Sequence, residues 1–150
     1  GQAWEIVAYS LRNERLGIPR FTLARAALDR AVAMLKERGD FVREHVRIEA
    51  ARCAALCEGA GTANYAVVQK RVDGLAIGAE SSSARYATVM AERAVCEFVV
   101  EFLPEALAGA SPYLKMHHQR GIVAGIAAGS AEIQLNIIAS DVLELPREPR

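Results

Sequence analysis

Two adjacent histidines, His117-His118, and three cysteines, Cys53, Cys57 and Cys96, are the side chains of this chain best suited to ligating a metal or acting as nucleophiles. Zinc normally takes four ligands at tetrahedral geometry. Cys53 and Cys57 stand one helical turn apart with no third or fourth ligand spaced to join them, so they are expected to be small buried apolar groups. No C-x-x-C pattern occurs. Neighbouring histidines on one turn lack the further ligands a site needs, and they are expected to be polar turn residues. No metal site is expected. A helical di-iron site would need Glu-x-x-His on two helices, and that motif is absent. Gly59-Ala60-Gly61 superficially resembles a phosphate loop, but it sits inside a helical pattern and lacks the Lys-Ser/Thr pair, so close helix packing is its expected purpose. A Gly-x-Ser-x-Gly elbow is also missing.

The elements that must position any chemistry are helices, because alanine is abundant and no stretch alternates apolar and polar residues long enough for a strand. A first segment runs from about Gln2 to Arg38, with Trp4, Val7, Leu11, Leu23, Ala27, Ala31 and Leu35 on one face. Gly17-Ile18-Pro19 predicts a kink or break near Ile18. Gly39-Asp40 supplies the turn into a second segment, about Asp40 to Val72, where Val46, Ala50, Cys53, Cys57, Ala60, Asn64 and Val67 follow a four-three alternation. A third, about Ser81 to Leu103, presents Ala84, Ala87, Ala91, Ala94, Phe98 and Phe102 to the interior and stops at Pro104. After a connection from about Gly109 to His118, a last segment from about Gln119 to Leu143 aligns Ile122, Ile126, Ile133 and Ile137. Four such segments predict an all-α fold, an up-down-up-down four-helix bundle in a single domain over 1–150.

Composition narrows the function classes. At 150 residues the chain buries a core without disulfides. Lys plus Arg and Asp plus Glu are both 18, with no long basic stripe, so nucleic acid is not an expected partner. The uncharged stretch Gly121–Ala131 is well short of the roughly 20 apolar residues of a membrane span. Gly1-Gln2-Ala3-Trp4-Glu5 has no basic n-region or apolar block. A soluble, cytoplasmic protein is expected.

The last segment contains Gly129-Ser130-Ala131-Glu132-Ile133-Gln134, then Asn136-Ile137-Ile138-Ala139. This resembles the G-T/S-x-E/Q-I-Q-x-x-I-I-A signature near the C-terminus of acyl-CoA dehydrogenases. Gly1-Gln2-Ala3-Trp4, Leu11 and Glu14-Arg15-Leu16 are similar to the opening of that family's C-terminal bundle, so the resemblance covers the whole chain. It implies a fragment of a longer flavoprotein in which a glutamate removes the α-proton of an acyl-CoA thioester and the β-hydride passes to FAD. The family's N-terminal helical and middle β-domains, which hold much of the flavin, are not in this chain, and no stable flavin binding or activity is expected of it alone. Homo-oligomers, or assembly with a paralogous subunit, are implied.

The resemblance also assigns roles. In many members the base is the residue directly before the signature glycine, which here is Ala128, and alanine abstracts no proton. Some relatives place the base on the first helix, where Glu14 is the nearest candidate. Ser130 and Glu132 occupy the positions at which the signature approaches the cofactor, and a helix N-terminus serves that purpose if a break precedes Gly129. An Arg-x-x-x-Gly motif and a Gln-x-x-Gly-Gly motif, which reach a neighbouring subunit's flavin, are replaced by Lys36-Glu37-Arg38-Gly39-Asp40-Phe41 and by 103–109. These losses favour a second reading, a non-catalytic structural subunit that assembles with a catalytic paralogue.

Overall fold

In a computed structural model the chain is described over residues 2–14, 18–126 and 129–146. The side chains of Leu11 and Glu14, and all of Arg15, Leu16, Gly17 and Ala128, lie outside the described residues. Six α-helices occur among the described residues: α1 (Gln2–Glu14), α2 (Ile18–Glu37), α3 (Glu44–Val72), α4 (Glu80–Phe102), α5 (Pro112–Ile122) and α6 (Ala131–Asp141). The fold is all-α, as the sequence predicts.

α2 begins at Ile18 with Pro19 in its first turn, where the missing N–H leaves no helical bond unmade. It ends on Gly39, which takes a left-handed φ of 77° before a 3₁₀ turn over Asp40–Val42. α3 and α4 share the most extensive packing, α2 lies on both, α5 closes against α2 and α4, and α6 rests on α4. The seam read from α3 holds residue for residue: Val46, Ala50, Cys53, Cys57, Ala60, Asn64 and Val67 are all buried. Gly61 joins them, and a Cβ there would meet the Phe21 ring at 3.1 Å, so the close packing expected of Gly59-Ala60-Gly61 holds at Ala60 and Gly61 but not at Gly59, which is exposed with open space around it. On α4 the expected interior residues are buried except Ala87, which is half-buried and packed against the core.

Other expectations fail towards the ends of the chain. Trp4 and Val7 are exposed, so the first turns of the first stripe lie outside the core that Ala27, Ala31 and Leu35 enter. The single last segment is in fact two helices, α5 ending at Ile122 and α6 beginning at Ala131, with turns over 123–126 after the first. Gly125 and Gly129 each take φ 87°, a conformation no helix continues through. Because the connection resets the helical phase, Ile122, Ile126 and Ile133 are exposed rather than aligned on a buried face. α5 also starts earlier than expected: the Ser111 hydroxyl accepts from the Leu114 N–H at 3.4 Å, with Pro112 at the first position. His117 and His118 therefore belong to a helix, not a turn, and His117 is buried.

No helix among the described residues is long and apolar enough to cross a membrane.

Candidate functional site

The break between α5 and α6 satisfies the condition under which Ser130 and Glu132 can face a ligand. α5 ends at Ile122, so the helix is interrupted before Gly129 and restarts with Ser130 as the N-cap of α6. The Ser130 hydroxyl accepts from the Ile133 N–H at 3.3 Å, and the Gly125 carbonyl accepts from the Ala131 N–H at 2.8 Å. Glu132 follows in the first turn, exposed. Its own backbone N–H and the Ser130 hydroxyl, with the more distant Arg93 charge, hold its carboxyl below the usual carboxylate range. The structure thus brings Ser130 and Glu132 together on one turn. Arg93 on α4 braces this turn by donating to the Ala124 carbonyl at 3.1 Å. Gly125 is enclosed, since a Cβ there would press on Val89, Arg93 and Ala131.

Glu14 is the last residue of α1. The segments that replace the two flavin-reaching motifs meet each other: Arg38 pairs with Asp40 beside it and with Glu105 across the fold. Lys36 lies over the Phe41 ring, 5.3 Å from its centroid, and with Arg47 lines a shallow hollow at this α2–α3 corner.

Sequence reasoning missed a buried polar cluster beside the core. Arg20 Nε reaches both carboxylate oxygens of Glu92 at 3.0 Å, tying α2 to α4 around an acid whose side chain is 1% exposed. Arg85 is buried two turns before Glu92 on the same face of α4, its guanidinium pulled below its ordinary pKa by burial and then by the Arg20 charge. His117 turns its ring toward the Glu92 main-chain carbonyl, and burial followed by the Arg120 charge pushes it down to about 4. Its Nε2 is buried without a partner among the described residues. Arg85, Thr88 and Glu92 recur at i, i+3 and i+7, each one residue after an alanine of the α4 stripe, and that polar periodicity was the available signal. The three cysteines are buried and free, with burial raising each thiol to about 11, so they are inert apolar groups.

Residues 1–143 match the family model described as Acyl-CoA dehydrogenase, C-terminal domain. The chain belongs to this family. Among solved structures it is similar to a probable acyl CoA dehydrogenase from Mycobacterium abscessus, at 26% identity and a TM-score of 0.85, over 94% of this chain and 39% of that one. It is also similar in fold to a variant of the Tcur3481-Tcur3483 steroid ACAD, at 20% identity and a TM-score of 0.77, over 97% of this chain and 40% of that one. Comparison with curated proteins returns no match. The chain therefore spans about two fifths of the length of these solved relatives.

Membership allows a test of fit for a flavin at the α6 turn. Ser130 and Glu132 offer oxygens that accept hydrogen bonds, and Glu132 is held as a carboxylate. The Glu132 carboxylate, an acceptor only, suits the hydroxyls of a ribityl or ribose unit and not a phosphate, while the Ser130 hydroxyl both donates and accepts and suits either.

Proposed function

We propose that this chain is the C-terminal domain of a flavin-dependent acyl-CoA dehydrogenase that oxidises the α,β-bond of an acyl-CoA thioester. The observation that carries this reading is the family match over 1–143, supported by the likeness to the mycobacterial structure at 26% identity. FAD, when bound, supplies the hydride acceptor. In this reading Ser130 and Glu132 accept hydrogen bonds from hydroxyls of the cofactor, and Glu14 replaces Ala128 as the group that takes the α-proton. The rest of the flavin and substrate walls come from parts of the protein outside these residues, and the domain contributes to subunit assembly, as a homo-oligomer or with a paralogous subunit.

A second reading is favoured by specific observations: alanine stands at 128, and Arg38 and Glu105, from the two replaced motif segments, are spent on each other. Here the domain is a structural element and a paralogous partner does the chemistry. Purification of the full-length protein separates the two. Yellow protein that reduces an electron-accepting dye with an acyl-CoA, and loses turnover but not assembly on Glu14→Ala, supports the first. Colourless protein whose partner subunit carries no flavin either sinks the dehydrogenase reading.

A further inference from the structure

α6 is built inside out. Its buried residues are Ala131 and the polar Gln134, while Ile133 and Leu135 are exposed. Gln134 is at 0% exposure, so α6 buries a polar amide while it leaves isoleucine outside. Gly129 takes φ 87°, and a Cβ on it would collide with the side-chain amide nitrogen of Gln134. The amide therefore lies directly against the α-carbon of the last residue before the N-cap. The Gln134 main-chain N–H donates to the Ser130 carbonyl at 3.0 Å, the first helical bond of α6, so the same residue also fixes the N-cap that follows Gly129.

We propose that Gln134 is a positioning residue: its buried amide is the template on which Gly129 turns, and it thereby sets the direction in which Ser130 and Glu132 leave the connection. The proposal deepens the flavin reading above and rests on it for its functional consequence. The turn is held from two sides, by Arg93 on the Ala124 carbonyl at its entry and by Gln134 beneath Gly129 at its exit. These two contacts are present without a ligand, which lowers the ordering cost that binding carries.

The test uses the full-length protein stripped of flavin, with Gln134→Met to remove the amide at nearly constant shape and Gly129→Ala to push on it from the other side. Amide hydrogen exchange at Ala131 and Ile133, whose N–H groups are bonded to the Gly125 carbonyl and the Ser130 hydroxyl, is expected to speed up at least tenfold in both variants, and FAD affinity measured well below the melting temperature to fall about tenfold. Exchange within twofold of wild type in both variants overturns the positioning role. Faster exchange with unchanged FAD affinity supports the brace and sinks the assignment of Ser130 and Glu132 to the flavin.

Discussion

His117 shows how burial of a single side chain becomes a property of the whole domain. Above pH 6.5 its imidazole is neutral in both folded and unfolded chains. Between pH 6.5 and about 4 the unfolded chain takes up a proton that the folded chain refuses, so stability falls as pH falls, and below about 4 the loss is complete. A depression of this size corresponds to about 3 kcal/mol. Denaturant melts at pH 7, 5.5 and 4 should show that difference between wild type and His117→Leu, whose side chain has nothing to protonate. An equal pH slope in the two proteins would mean that His117 charges without opposition in the folded state. The sequence showed His117 only as half of a histidine pair. Its burial arises from the phase of α5 and from the Glu92 carbonyl opposite, neither of which a spacing reveals.

Among the elements, α3 was almost wholly legible and α5 and α6 were not, and the reason is local. α3 is 29 residues of unbroken helix, so one heptad register governs all its buried positions. Between α5 and α6 the register is reset by two left-handed glycines and a serine cap. Hydrophobic periodicity passes smoothly across Gly125 and Gly129 because glycine is compatible with helix as well as with the turn, and tertiary contacts choose between them. The start of α5 is set by capping in the same way. Ser111→Ala, which removes the oxygen that accepts the Leu114 N–H, is expected to cost about 1 kcal/mol in urea unfolding. No change in midpoint would show that Pro112 and the burial of Leu114 hold the helix start without the cap.

For the molecule as a whole, the distribution of apolar surface matters most. Trp4, Ile6 and Tyr9 on α1, Ile122, Val123 and Ile126 around the connection, and Ile133 and Leu135 on α6 are exposed. With the chain spanning about two fifths of its solved relatives, the proposed flavin has no walls here on most sides. The chain by itself is therefore expected to show no saturable FAD binding in a fluorescence-quenching titration, and saturation at micromolar flavin would contradict this. The sequence by itself determined the helical class, the α3 and α4 seams and the family resemblance, because these rest on residue periodicity and on a contiguous motif, which are local properties of a chain. Only the tertiary structure decided that the last segment is two helices, that Arg20, Glu92 and His117 share one buried cluster, and that Gln134 sits beneath Gly129. Each of these depends on which residues distant in sequence, or on opposite sides of a turn, share a volume, and burial, charge partnership and steric exclusion are set by that shared volume.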